Sequence, residues 1–192
     1  MAAGRRRTVE EEFRGRLRFE RRTFLLAPRD GQRPAYDEYV VSHRVRAAQL
    51  APELGFAIPR VGMPYPRSSW PAQLLAMRVN DLRHPRLAAL EDQLFGAMFR
   101  ELADISDPAV LRRCAVAAGV PPEDVDLAQD DAGLKERARR EHAEAQEEGI
   151  DGIPGLLVPG LPPISGAVPV DLYRRALQHA LSREGEDAPP EP

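Results

Sequence analysis

Few side chains in this sequence have the type and spacing to do chemistry. Its one cysteine, Cys114, lies in "VLRRCAVAAG" on a helical stripe with Val110 and Leu111, where a thiol is expected to serve as a small buried hydrophobe. A single cysteine admits no intramolecular disulfide, no CxxC redox pair and no cysteine-built zinc site. The four histidines, His43, His84, His142 and His179, stand apart among polar helix residues with no HExxH-type spacing, so solvated imidazoles are expected and no metal or cofactor. "PYPRSSWP" brings Tyr65, Arg67 and Trp70 together. An arginine beside small hydroxyls can hold a carboxylate, but the expected role is a packed connector whose two aromatics fill a subdomain interface. Arg5–Arg7 read as a solvated end, since three arginines without interleaved aromatics do not make a nucleic-acid site. The remaining candidate is "EGIDGIPGLLVPGLPPISGAVPVDLYRRAL", Glu148 to Leu177, which sets Pro154 between glycines just before an apolar run.

The rest of the chain must position that turn. With 192 residues, 43% hydrophobic and 30% charged, it can bury the core of one domain, or of one domain with an inserted subdomain. Its 27 Lys and Arg nearly balance 30 Asp and Glu, for a formal charge of -3, which gives no long-range attraction to nucleic acid or anionic lipid. No apolar run reaches the ~20 residues that span a bilayer, and "MAAGRRRTVEEEF" has no apolar h-region behind its basic start. A cytoplasmic protein without membrane or nucleic-acid partners is expected.

The patterns predict a strand over Leu17–Leu26, kinked near Arg21 and ended by Pro28. A helix follows, with Tyr36, Val40, Val41, Ala47 and Leu50 at helical spacing and Pro52 and Gly55 at its close. After the proline-dense loop "FAIPRVGMPYPRSSWP", three helices are expected with prolines in their first turns: Pro71 after Ser69, Pro85, and Pro108 after the cap Asp107. "PPEDVDLAQDDAGLKERARREHAEAQEEG" reads as a short turn and one long charged helix, with Glu136/Arg140 and Arg140/Glu144 four apart. Ile153–Pro159 and Pro163–Gly166 are predicted as short strands. Val170–Leu181 is predicted as a helix burying Leu172, Ala176, Leu177, Ala180 and Leu181. The acidic, Pro-rich tail from about Arg183 has nothing to bury and is expected to be disordered.

In this order the motifs resemble the DsbA-like thioredoxin-fold family, in particular its cytoplasmic FrnE-like branch. The resemblance rests on Gly152, Ile153, Pro154 and Gly155 before a strand and on Ser165, Gly166, Ala167, Val168 and Pro169 before the closing helix. "MPYPRSS" from Met63 to Ser69 and "LFGAMFRELADISDPAVLRRCAVAAGV" add to it, and the likeness spans roughly Arg7 to Leu181. It implies an α/β thioredoxin-like domain of DsbA type over residues 7–183, with a helical insertion at about 34–148 and a disordered tail at 184–192.

The same resemblance implies that Pro154 follows a cis peptide bond, which X-Pro tolerates for ~0.5–1 kcal/mol. It makes Ile153, Pro154 and Gly155 substrate-binding residues, facing a substrate strand or glutathione. The family's chemistry uses a CxxC at the N-terminus of its first helix, where the helix dipole lowers a thiol pKa. Nothing here corresponds to that motif or to the first strand before it. The implied function is thiol–disulfide exchange, in a chain that starts downstream of its active site and is inactive as written. One alternative is the 2-hydroxychromene-2-carboxylate isomerase and kappa-class glutathione transferase branch, which uses glutathione and a serine. Another is a non-catalytic interaction protein that completes its sheet as a homodimer.

Overall fold

The computed structural model describes residues 8–25, 34–166 and 168–186, the last four by their backbone alone. Arg5–Arg7, Leu26, Pro28 and the tail at 187–192 lie outside the described residues. In chain order the elements are α1 (residues 8–12), α2 (Glu38–Leu50), α3 (Trp70–Asp81), α4 (Leu87–Phe99), α5 (Pro108–Ala118), α6 (Asp124–Asp130), α7 (Ala132–Glu147), β1 (Gly155–Leu156), β2 (Ile164–Ser165) and α8 (Val170–Glu186). Two compact units result, one from the chain ends up to Phe24 and from His142 onward, the other from Leu25–Glu141. The second unit differs in its bounds from the expected insertion at about 34–148.

The Leu25–Glu141 unit is a helical cluster around Leu74, Leu75, Val79, Leu90, Leu111 and Val125, all without solvent exposure. Its helices start where local chemistry dictates. Asp107 accepts the Ala109 amide at 2.8 Å and Pro108 opens α5, so one orphan donor is satisfied and another is removed. The serine before α3 behaves differently: Ser69 makes no cap, and the Trp70 amide donates to Ser68 Oγ instead. Pro85 lies in the turn ahead of α4 rather than inside the helix.

The long charged helix expected after Pro121 is two helices. Asp131 leaves α6 in an extended conformation and its side chain accepts the Leu134 amide at 2.8 Å, so one carboxylate ends one helix and caps the next. Ion pairs on α7 include Arg139–Glu136 and Arg137–Glu141.

α2 departs from its apolar pattern. It is capped by Asp37, whose side chain accepts the Val40 amide, and Gly55 with φ 63° closes the 3₁₀ turn Pro52–Leu54 behind it. The helix buries only Arg44, while Leu50 is exposed and Val40, Val41 and Ala47 are half-buried. The "PYPRSS" connector packs within this unit. Tyr65 stands edge-on to Tyr36 at 4.8 Å, and Trp70 packs on the core beneath Arg139. Arg67 donates to Asp104 at 2.9 Å. Burial would raise the Asp104 pKa, but hydrogen bonds from Ser106 and Arg67 outweigh it and hold the carboxyl below its ordinary range.

The other unit has a smaller core of Val9, Phe13, Val158, Tyr173, Ala176 and Leu177, with Leu17, Phe19 and Ile164 packed against it. Its sheet is the antiparallel pair β1–β2, with Gly155 opposite Ser165 and Leu156 opposite Ile164. The strand predicted over Leu17–Leu26 does not form in the described part: after a bridge between Arg14 and Leu17, residues 18–25 are irregular. A strand exists through its ladder, and among the described residues no partner strand pairs there. Leu17 and Phe19 are still half-buried, because apolar contact needs no ladder. The closing helix α8 continues to Glu186, past Arg183 where disorder was expected to begin, and its buried stripe contains Tyr173 in place of Leu172.

Candidate functional site

The Ile153–Gly155 turn is built by what precedes and follows it. The turn after α7 closes at Gly149 with φ 86°, a left-handed conformation that favours glycine. The next amide, Ile150, reaches back to the Ala145 carbonyl at 2.8 Å. This return buries Ile150, 5% exposed, under the turn. Gly155 follows from that: a Cβ there would sit 2.9 Å from Ile150 Cγ2. The Ile153–Pro154 peptide bond is cis.

The ladder register explains a second residue. Extending the pairing by one step places Pro154 opposite Gly166, and the Gly166 amide donates to the Pro154 carbonyl at 2.8 Å. In such a pair the second residue normally returns the bond, but proline has no N–H to give. The Tyr173 hydroxyl supplies it, donating to the Gly166 carbonyl at 2.8 Å, a carbonyl shared with the Val168 amide at 3.0 Å. Thus α8 is tied to the hairpin at the point where the proline leaves a gap. Replacing Tyr173 with Phe keeps the ring and removes this bond. A loss of about 1 kcal/mol is expected in chemical denaturation, with amide shifts centred on Gly166, and an unchanged midpoint would refute the assignment.

What remains open is a short backbone edge. Ile153 is 48% exposed, and among the described residues no hydrogen bond engages the backbone of Asp151, Gly152 or Ile153. An exposed, unpaired amide and carbonyl beside a hairpin can accept an added strand. On the hairpin itself, Ser165 stands opposite Gly155 and buries its hydroxyl without a partner among the described residues.

The other candidates are placed away from this chemistry. Cys114 is buried in the helical unit, in the core that also holds Leu111 and Ala115. Burial, acting against the neighbouring Arg113 charge, pushes its thiol pKa up; a reactive thiolate needs the reverse. Among the histidines, His43 packs on Tyr39, His84 accepts the Arg86 amide, and His142 meets Phe24 edge-on. Among the described residues no cluster of His, Cys, Asp and Glu could hold a metal.

With the hairpin, the proline turn and the helical unit in place, comparison with known proteins decides the family. The profile of the DSBA-like thioredoxin domain matches residues 15–178. The chain belongs to that family. Two solved structures share its fold. One is a candidate protein disulfide isomerase from Nitrosomonas europaea, with TM-score 0.72 and 18% identity over 95% of this chain and 91% of that one. The other is a candidate DsbA oxidoreductase from Streptomyces coelicolor, with TM-score 0.76 and 21% identity over 100% of this chain and 86% of that one. No curated protein matches the sequence. The fold is therefore the α/β thioredoxin-like one of DsbA type with a helical insertion. The described part of this DSBA-like chain contains no helix long and apolar enough to cross a membrane.

Two residues that shape the DSBA-like domain here were not singled out from sequence. Leu172 fits the apolar stripe as well as Tyr173 does, and only the hairpin gives the Tyr173 hydroxyl its partner. The burial of Ile150 depends on the return after Gly149, which no local pattern marks.

Proposed function

We propose that this DSBA-family protein binds thiol or disulfide substrates, a protein strand or glutathione, through the backbone edge at Ile153, Pro154 and Gly155. The observation that supports the reading is the exposed Ile153, whose amide and carbonyl make no hydrogen bond among the described residues, beside the Gly155–Ser165 hairpin. An incoming extended backbone can add two hydrogen bonds there without displacing any the chain already makes. The residues of Gly152–Gly155 and Ser165–Pro169 favour the FrnE-like branch of the family, and its cytoplasmic location is part of the proposal. A lone unpaired thiol is compatible with a reducing compartment.

The sequence as it stands carries the docking edge without a redox pair, so binding and turnover separate in one experiment. Titrating labelled protein with reduced glutathione, or with a reduced cysteine-containing peptide, is expected to shift the amides of Ile153 and Gly155 in a saturable way. In parallel, insulin reduction is expected to stay at the uncatalysed rate, because Cys114 is buried with its pKa raised. A folded sample whose amides at Ile153 and Gly155 do not respond would sink the binding proposal, and insulin turnover by this chain would sink the inactive one.

A further inference from the structure

The chain is charged with one sign where it forms the proposed docking edge. From Glu141 to Tyr173 it carries Glu141, Glu144, Glu147, Glu148, Asp151 and Asp171, and no Lys or Arg. Four of these carboxylates have cationic partners from outside that stretch: Arg137 meets Glu141, Arg22 meets Glu144 and Glu148, and Arg174 meets Asp171. Glu147 and Asp151 are exposed, and among the described residues neither enters an ion pair.

These two carboxylates flank the approach to the edge. Asp151 stands two residues before Ile153, whose amide and carbonyl make no hydrogen bond among the described residues. Glu147 is the last residue of α7, and the return after it brings the Ile150 amide back to the Ala145 carbonyl. The Ile150 side chain then lies against Gly155, so Ile150 joins the last turn of α7 to the hairpin. No charged residue occurs between Gly152 and Val170 to offset the pair. The first cation after the edge, Arg174, is already engaged by Glu12 and Asp171.

We infer that the edge selects extended peptides with Lys or Arg within two residues of their cysteine, and disfavours anionic thiols such as glutathione. The inference rests on the docking reading proposed above and adds its substrate class. Backbone hydrogen bonds of an added strand are the same for any sequence, so discrimination falls to the side chains beside them. Neighbouring side chains on paired strands come within about 5 Å, and like charges there repel. A lysine on its flexible four-carbon stem can reach Asp151 from either neighbouring position. Exposed pairs of this kind are individually weak and screened by salt, so they set the choice among ligands more than the total affinity.

The test is an NMR titration near neutral pH and at low salt with three reduced peptides blocked at both ends: Lys-Ala-Cys-Ala-Lys and its Gln and Glu counterparts. The amides of Ile153 and Gly155 report binding. The Lys peptide is expected to bind about tenfold tighter than the Glu peptide, with the Gln peptide between them. The ratio is expected to approach one at 1 M salt, where the screening length is about 3 Å. Asp151→Asn combined with Glu147→Gln is expected to reduce it to about twofold. Equal affinity for all three peptides would leave docking in place and overturn the charge selection. If none of the three moves these amides, the docking reading falls and this inference with it. A ratio that survives the double substitution would assign the preference to the overall charge of -3 and would also overturn the proposal.

Discussion

Replacing Phe13 with Ala is expected to cost about 3–5 kcal/mol, the range for emptying a fully buried aromatic site. Phe13 is 1% exposed and is the largest apolar residue in a core that otherwise holds Val9, Val158, Tyr173, Ala176 and Leu177. So small a core has few side chains able to move into the space. A compact domain has only about 5–15 kcal/mol of stability in all, so this unit would be close to unfolding. The effect should be local. Native-state hydrogen exchange is expected to lose protection in residues 8–24 and 142–186 while α3 to α6 stay protected. The same variant should lose the glutathione response at Ile153, because the hairpin that carries the edge packs Leu156 and Ile164 against this core. Uniform loss across the chain would show instead that the two units unfold together, and a loss under 1 kcal/mol would show that Phe13 is not the keystone its burial indicates.

The second large effect concerns the helical unit. Asp124→Ala is expected to cost about 3 kcal/mol, the lower end of the range for removing one partner of a buried pair. Asp124 is 6% exposed at the start of α6 and accepts a 2.8 Å bond from Arg78 Nε on α3. Without it the Arg78 guanidinium keeps its charge, and with a side chain 25% exposed it regains only part of its hydration. That partial access is why the estimate falls at the low end. Asp124→Asn keeps an acceptor and removes the charge, so it should cost roughly half as much. By contrast, Glu101→Ala, which breaks an exposed pair with Arg113, should change stability by less than about 1 kcal/mol. Denaturation midpoints of the three variants give the ranking, and equal effects for Asp124→Ala and Glu101→Ala would contradict it.

The helix starts were legible because they depend on neighbours in sequence. Asp107 followed by Pro108 both caps and opens α5, and nothing distant is needed for either act. Asp131 worked against the reading for the same local reason: one extended residue, capping Leu134, split a helix that charge periodicity made continuous. The irregular run at 18–25 failed as a strand because alternation tells only which face a residue prefers. Whether a partner is there to pair with is a tertiary matter.

Of the proposed docking edge, the sequence by itself determined the proline between glycines, the short apolar runs after it and the amphipathic closing helix. These come from backbone preferences and from a periodicity confined to a few residues. It also determined that Cys114 would be buried, since its neighbours form one helical stripe. Only the tertiary structure decided that Tyr173 bonds the Gly166 carbonyl, that Ile150 takes the space a Gly155 side chain would need, and that α2 buries an arginine in place of its valines. Each of these joins residues from elements that meet only in the fold, and a hydrogen bond or a shared volume has no signature in either partner alone. A buried Arg44 is the extreme case, because its composition predicts exposure and only the rings of Tyr36, Phe56 and Phe99, up to 55 residues away in the chain, make the site that holds it.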